Sequence, residues 1–571
     1  MRILRREIPL KNNDLSGKLH PVLERVYLAR GVDRFDDLNH RLNRLHHRET
    51  LGGLVEAASL TADAIAQHQR IVIVGDFDAD GATGSALAMR GLAALGATDL
   101  HFRVPNRFAD GYGLTPSLVS HLRDLSPNLI VTVDNGIASL AGTQAARDLG
   151  MQVVITDHHL PGPKLPAANA VVNPNLPDDH FPSKHLAGVG VMFYLLAAVR
   201  AELVDRGVAT AGDVNLGQWL DLVALGTVAD LVQLDVNNRI LVENGLRRMR
   251  AGRCVPGISA LAQAAGRDLG RATAADLGFG LAPRLNAAGR LEDMAAGIEC
   301  LTTDDPDRAA SLAEALDRLN SERRSLQDDM QAQALEISDG LAEAPDWSER
   351  FSLSLWDPQW HQGIVGLVAS RLKDRHHRPV VAFAPEAPGA ETWKGSARSI
   401  RGFHIRDAIA EVDARAPGLI QRFGGHAMAA GLTLSERGLA AFEAAFETVA
   451  SQRLEADQLT QTLRTDGPLS ADDLSAELAQ ALASGGPWGQ GFAEPSFDNP
   501  VSVVTLRGVG RGHSKMRVKL DGVEVDAIAF GYDADHVRDL GHALHLVFAL
   551  ELNEFRGRQS LQLNVRHLQP A

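Results

Sequence analysis

The stretch Ile71-Val-Ile-Val-Gly-Asp-Phe-Asp-Ala-Asp-Gly81 decides how the rest of the chain is read. Four β-branched residues in succession describe a short strand buried on both faces, the kind found in parallel sheets covered by helices. The run stops at a glycine and three alternate aspartates. Two later segments repeat the design: Leu129-Ile-Val-Thr-Val-Asp-Asn-Gly136 and Val153-Val-Ile-Thr-Asp-His-His159. Ligands of open parallel sheets collect beyond the strand C-termini. The three strand ends are therefore expected to bring Asp76, Asp78, Asp80, Asp134, His158 and His159 around one crevice.

A single aspartate after a strand is ordinarily a helix N-cap. Three such strand ends, one carrying Asp-x-Asp-x-Asp-Gly, need a different explanation. Carboxylate oxygens and imidazole without thiolate suit magnesium or manganese, with the histidine leaning toward manganese; zinc fits less well. So many acids in one place repel one another unless cations neutralise them. Paired divalent cations are the known arrangement for in-line attack on phosphorus, so the chemistry expected is phosphodiester hydrolysis with two metals.

These residues resemble the DHH phosphoesterase superfamily, named for the triplet that stands here as Asp157-His158-His159. Asp78 and Asp80 fit its first motif, Asp134 with Asn135 and Gly136 the second, His158 and His159 the third, and Asp230 in Gly226-Thr-Val-Ala-Asp230 the fourth. Trp360-His-Gln-Gly-Ile-Val-Gly366, Lys394-Gly-Ser-Ala-Arg-Ser399 and Phe423-Gly-Gly-His-Ala427 look like the superfamily's companion domain. Pro283-Arg-Leu-Asn-Ala-Ala-Gly-Arg290 and Gly486-Pro-Trp-Gly-Gln-Gly491 narrow the resemblance to its bacterial exonucleases of single-stranded DNA, over about residue 50 to the C-terminus.

The resemblance implies metal contacts from Asp78, Asp80, Asp134, His158 and Asp230, and a different task for His159, on the scissile phosphate and the leaving oxygen. The catalytic set it implies is His159, Asp78, Asp80 and Asp134. Asp230 enters on resemblance alone, since it follows an apolar run, Trp219 to Val228, that reads as helix. One departure stands out. Many members carry a histidine four residues before the first ligand aspartate, where this chain has Val74; Asp76 then supplies the missing ligand or holds a water on the metal, and both roles stay open.

An exonuclease must also recognise an end, and arginine forks with a hydroxyl can grip a terminal phosphate. Ser396 and Arg398 have that chemistry, Arg284 and Arg290 are expected to approach from another side, and Gly424, Gly425 and His426 would let backbone come close to the strand. The resemblance associates this set with the 5′ end, implying 5′ to 3′ polarity and work in DNA repair and recombination beside a single-stranded-DNA-binding protein and a repair helicase. Strand selectivity needs no base readout if the passage to the site is too narrow for a duplex.

At 571 residues and 45% hydrophobic content the chain is too long for one core. Its net charge of -14 argues at first against nucleic acid, but bound cations would cancel part of that load, and basic residues fall beside the motifs. The two cysteines, Cys254 and Cys300, lack metal-ligand spacing and suit a reducing cytoplasm. The basic N-terminus runs into Lys11-Asn-Asn-Asp14 without the apolar stretch of a signal peptide, and Val189 to Val199 is too short to span a bilayer. A cytoplasmic monomer is expected.

The fold class expected is α/β: two α/β domains, the DHH type and its companion, joined by a long helix, plus a C-terminal OB-like β-barrel. The divisions expected are an N-terminal arm without strong periodicity over 1–50, the catalytic α/β domain over 51–235, a connecting region with the long helix over 236–345, the companion α/β domain over 346–455, and an oligonucleotide-binding barrel over 456–571. The long helix follows from Leu312, Leu316, Leu319, Arg323, Leu326, Met330, Gln333 and Ile337, recurring in steps of four and three after a Thr303 N-cap. Two polar seam positions favour a spanning helix over a coiled-coil dimer. In the barrel, Lys515, Arg517 and Lys519 alternate with apolar residues and share a face: either a solvated surface or a DNA-holding groove with Phe530, Tyr532 or Phe555 as stacking platforms. The competing enzyme is a DHH phosphodiesterase of cyclic dinucleotides or very short oligonucleotides, which generally lacks the long helix and the barrel; a non-catalytic relative would have lost ligands that are intact here.

Overall fold

The computed structural model describes residues 1–9, 13–106, 110–343, 347–510, 512–555 and 558–571. Lys11 and Asn12, and the side chain of Phe555 proposed as a platform, lie outside that description. The chain divides into two compact units, one of residues 4–317 with 464–571 and one of residues 1–3 with 318–463.

In the larger unit, five parallel strands lie in the order Leu100–Arg103, Ile71–Gly75, Leu129–Val133, Gln152–Thr156, Ala170–Val172. The strands Ile71–Gly75 and Leu129–Val133 are buried along their whole length, as an unbroken β-branched run requires when helices cover both faces. The register pairs Gly75 with Val133 and Val133 with Thr156, so the strands stop level with one another. Asp76, Asp134 and Asp157 are therefore the next residues on three adjacent strands.

The segment expected as a connecting region largely belongs to this unit. Residues 236–317 fold with the catalytic sheet, in the helices Val236–Arg250, Pro256–Ala264, Ala282–Leu291 and Ala295–Thr302. The segment expected as an N-terminal arm without strong periodicity carries a short helix. Residues 21–28 form a helix burying Val22, Leu23, Val26 and Tyr27, too short for its period to show in sequence. It is fastened by Arg30 to Asp466 at 2.8 Å and by the Tyr27 hydroxyl donating to Gly485 O at 2.8 Å. Tyr27 also stacks on Trp488, whose Gly-Pro-Trp-Gly-Gln-Gly motif reaches back through Gln490 O to the Leu234 amide.

The C-terminal strands close a five-stranded barrel in the order Phe497–Val509, His513–Leu520, Val523–Ala529, Arg558–Pro570, Ala543–Phe555, the oligonucleotide-binding architecture expected.

The long helix is Pro306–Ala342, 37 residues and about 55 Å. Its N-cap is Asp305 rather than Thr303: Asp305 Oδ1 accepts from the amides of Asp307 and Arg308, while Thr303 Oγ1 only accepts from Asp305. The buried seam also differs from the expected one beyond Leu316. Met330 is buried as expected, but the other buried positions are Asn320, Gln327, Ala334 and Ser338, whereas Ile337 is 40% exposed. Small and polar residues fill much of this seam, so hydrophobic spacing marked only part of it.

The smaller unit carries a five-stranded sheet in the order Ile420–Gly425, Ala429–Ser435, Thr392–Arg398, Val380–Pro385, Leu353–Trp356. Its core of Phe383, Trp393, Leu432, Phe442 and Phe446 lies against the helices Ile405–Arg415 and Leu439–Arg453.

Candidate metal centre

The strand ends place three overlapping sets of donors. Asp76, Asp78 and Asp134 offer oxygens within 4.8 Å of one another, as do donor atoms of Asp134, His158 and His159, and of Asp80, His158 and Asp230. Asp134 and His158 each belong to two sets, which makes them the shared members of a site with room for more than one cation. His158 Nε2 lies 3.0 Å from Asp134 Oδ1 and 3.5 Å from Asp230 Oδ2. Asp230 reaches this point as the C-cap of the helix Leu220–Ala229.

Each donor is held by local structure. Asp78 is an N-cap in the ordinary sense, its Oδ1 accepting from the amides of Asp80 and Gly81, and belongs to a donor set too. Asp80, fully buried, accepts from the Gly188 amide at 2.7 Å and the Val189 amide at 2.9 Å. These are the first amides of the helix Gly188–Asp205, whose positive end favours a carboxylate. Asp134 has φ +63°, a left-handed backbone that few non-glycine residues adopt and that turns its side chain into the cluster.

Asp157 does not join the donor sets; it is the organiser of the histidine pair. Its Oδ1 accepts from His159 Nδ1 at 2.7 Å and from the backbone amides of His158 and His159, and its Oδ2 accepts from Ile137 N at 2.9 Å. Burial pushes the Asp157 carboxyl upward, but its bonds and charge attraction to His159 outweigh that and hold it below the usual range. Burial likewise opposes the charge on His159, and Asp157 overcomes it, raising the imidazole to about 9.

The remaining buried acids of the centre respond the other way. Burial first, then repulsion from Asp78, raises Asp80 to about 7. Burial and the neighbouring aspartates raise Asp134 and Asp230 well above the carboxylate range. Buried carboxylates crowded together, with pKa values raised by burial and mutual repulsion, are a donor set that divalent cations fit, since a cation supplies the countercharge that burial withholds.

Four features of the centre were not read from sequence. Gly188 and Gly226 leave space that a side chain would fill: a Cβ on Gly188 would lie 2.5 Å from Asp134 Cβ, and one on Gly226 would lie 2.8 Å from Asp80 Oδ1. Asn286 Oδ1 accepts from the Ala79 amide, tying the Pro283–Arg290 motif to the aspartate loop. The Tyr112 hydroxyl donates to Asp134 O at 3.3 Å and lies 3.5 Å from His159 Nδ1. Gly226 and Asn286 stand inside motifs quoted from the sequence but carried no role of their own there, while Gly188 and Tyr112 left only glycine in Ala187-Gly-Val-Gly190 and a tyrosine between glycines.

The expected end-binding residues are divided between the two units. Ser396 and Arg398 meet on the strand Thr392–Arg398, Arg398 Nη1 donating to Ser396 Oγ at 3.1 Å. Burial lowers the Arg398 pKa, and among the described residues no carboxylate pairs with it. Gly424 and Gly425 end the strand Ile420–Gly425, followed by His426; a Cβ on Gly424 would meet nothing within 4 Å. Arg284 needs correction. It is 7% exposed, pairs with Asp317 at 2.7 Å and donates to Gly280 O and Ala264 O, so it is committed to packing. Arg290 is half-buried at the end of the helix Ala282–Leu291.

On the barrel, Lys515, Arg517 and Lys519 do point to one face, but carboxylates stand among them. Lys515 lies 3.0 Å and Arg517 3.3 Å from Asp526, and Arg517 also faces Glu524. Among the described residues only Lys519 of the three lacks an acidic partner. Phe530 is 57% exposed, edge-on to His513, while Tyr532 is half-buried against His536.

The family model for the DHH family N-terminal domain matches residues 70–227, that for the DHHA1 domain residues 350–452, and that for the RecJ OB domain residues 465–567. The single-stranded-DNA-specific exonuclease RecJ of Dickeya dadantii is 47% identical over 578 residues, 99% of each chain. The protein of the same description from Escherichia coli is 46% identical over 576 residues, covering 100% of this chain and 99% of that one. Among solved structures, RecJ in complex with Mn2+ from Thermus thermophilus superposes with a TM-score of 0.83 at 32% identity, over 100% of this chain and 79% of that one. The corresponding Mg2+ complex gives 0.77 at 30% identity, over 100% and 78%.

Proposed function

The chain belongs to the RecJ family of single-stranded-DNA-specific exonucleases within the DHH superfamily, and from that membership we propose that it degrades single-stranded DNA from the 5′ end, in DNA repair and recombination. The observation that carries this reading is the meeting of three donor sets on Asp134 and His158 at the C-terminal edge of a parallel sheet. The residues that would hold two divalent cations, manganese or magnesium, are Asp78, Asp80, Asp134, His158 and Asp230, with Asp76 beside them. When bound, the cations supply Lewis acidity, activating water and neutralising charge that develops on the phosphoryl oxygens.

The chain's own residues supply the rest. Asp157 fixes the orientation and the charge of His159, so that its imidazolium can face the scissile phosphate and give a proton to the departing oxygen. Arg398, desolvated and without a carboxylate partner among the described residues, keeps its net charge available to an anion; with Ser396 it offers a charged fork and a hydroxyl to a terminal phosphate. Gly424, Gly425 and His426 would border that phosphate on the same unit; on the larger unit Arg290 is a further candidate for phosphate contact, and Lys519 with its neighbours Lys515 and Arg517 would hold single-stranded DNA. The reading extends to a reducing cytoplasm, a monomer, and cooperation with a single-stranded-DNA-binding protein and a repair helicase. No helix among the described residues is long and apolar enough to cross a membrane.

The test is digestion of 5′-labelled single- and double-stranded DNA with manganese, magnesium or chelator. Single strands should be shortened from the 5′ end only with metal, and Asp134→Ala should be inactive while still folded. Equal digestion of duplex, or activity surviving exhaustive chelation, defeats the reading.

A further inference from the structure

The two most exposed large apolar side chains among the described residues are Phe279, 76% exposed, and Leu231, 71% exposed. A lone exposed apolar residue needs no explanation. These two sit on touching segments: a Cβ placed on Gly278 would lie 3.3 Å from Val228 Cγ1, in the last turn before Asp230. Both also stand on unusual backbone. Leu231 has φ +60°, directly after the Asp230 cap. Phe279 lies in a π-helical turn, Asp276–Leu281, a form that concentrates at functional sites.

Their position follows from what the flanking elements hold. The helix that ends at Asp230 lies on one side. On the other, the π turn runs into the helix Ala282–Leu291, whose Asn286 accepts from Ala79 in the aspartate loop at 2.9 Å. Arg267 runs alongside, its Nε 3.3 Å from a Cβ built on Gly280, with its side chain 46% exposed and Nη1 3.5 Å from Asp276 Oδ1. An exposed aromatic ring and an exposed aliphatic side chain on touching segments, one of them directly after Asp230, with a partly exposed arginine alongside, offer the chemistry that receives a stacked base and its phosphate.

We propose that Phe279, supported by Leu231, is a platform on which a nucleobase of single-stranded DNA stacks next to the scissile phosphate, with Arg267 beside it on the backbone. This rests on the exonuclease reading and adds to it a base-contacting site outside the family motifs' metal and end-binding residues. It also contributes to strand choice, because a base within a duplex is stacked on its neighbours and has no free face to offer. The platform reads the presence of a base, not its identity.

Steady-state digestion of 5′-phosphorylated single strands, intact or abasic at each of the first few nucleotides, is the test. Phe279→Ala should melt as wild type does, since the ring is exposed, and should raise KM roughly 5- to 150-fold, with Phe279→Trp restoring it. An abasic nucleotide at the stacking position should impair wild type, and should add nothing to Phe279→Ala. A second measurement is independent of hydrolysis: 2-aminopurine in an oligonucleotide with non-hydrolysable terminal linkages should be quenched on binding with manganese, and Phe279→Ala should relieve the quench. Wild type that fails to digest DNA yet shows Phe279-dependent quenching would sink the exonuclease reading and leave the platform standing. Digestion by wild type with KM, abasic sensitivity and quenching all unchanged in Phe279→Ala would overturn the platform alone, leaving the pair as a protein-docking spot.

Discussion

Gly188→Ala perturbs the centre without touching a ligand. The new Cβ would lie 2.5 Å from Asp134 Cβ and 2.6 Å from Asp134 Oδ1, where carbon atoms normally stay roughly 3.5–4.0 Å apart. Relief therefore needs a shift of about 1 Å. The helix cannot supply it freely, because the Gly188 amide donates to Asp80 Oδ2 at 2.7 Å, so retreat would loosen a second carboxylate. Asp134 cannot turn away freely either, being fixed by φ +63° at a strand end and by its amide bond to Thr156 O. A misplacement of about 1 Å at a catalytic centre costs on the order of 10²-fold in rate. The strain should cost about 1–3 kcal/mol of stability, partly offset by alanine's preference over glycine in a helix, about 1 kcal/mol. The expected result is a protein that melts within several degrees of wild type, binds manganese weakly by calorimetry, and has turnover reduced about a hundredfold. Wild-type turnover together with wild-type manganese affinity would refute the argument that this gap is shaped for Asp134.

Two further expectations concern DNA. Arg398→Ala should reduce the preference for 5′-phosphate over 5′-hydroxyl ends by roughly 10- to 150-fold, the worth of a charge-assisted hydrogen bond, with little change in manganese affinity; competition between the two ends measures it, and an undiminished preference places the end pocket elsewhere. Changing Lys515, Arg517 and Lys519 together to glutamine should lower the salt slope of single-strand affinity by nearer one contact's worth, about 0.7 on a log-log plot, than three, because Asp526 and Glu524 already engage two of the cations; an unchanged slope marks the face as solvated surface.

What the sequence alone determined was whatever is contiguous along the chain. Unbroken β-branched runs specify buried parallel strands, and a strand of known direction fixes the side on which the residues after it emerge. Asp76, Asp78, Asp80, Asp134, His158 and His159 could therefore be gathered in one crevice before any fold was seen. The barrel's alternating strands were legible for the same local reason, as was the 37-residue helix.

Tertiary structure decided everything that depends on partners far apart in sequence. Asp80 is oriented by amides 108 and 109 residues away, and Asp230 joins the centre because a helix C-cap packs there. Arg284 looked like an anion-binding arginine until Asp317 and two carbonyls claimed it. The polar seam of Asn320, Gln327 and Ser338 carries no hydrophobic signal, and the Pro21–Leu28 helix is too short for one. Local pattern fixes which chemical groups emerge where a strand ends. Which of them stay available for a ligand is set by the contacts that long-range packing brings, and a carboxylate or an arginine reads the same in sequence whether its charge is already satisfied or still free.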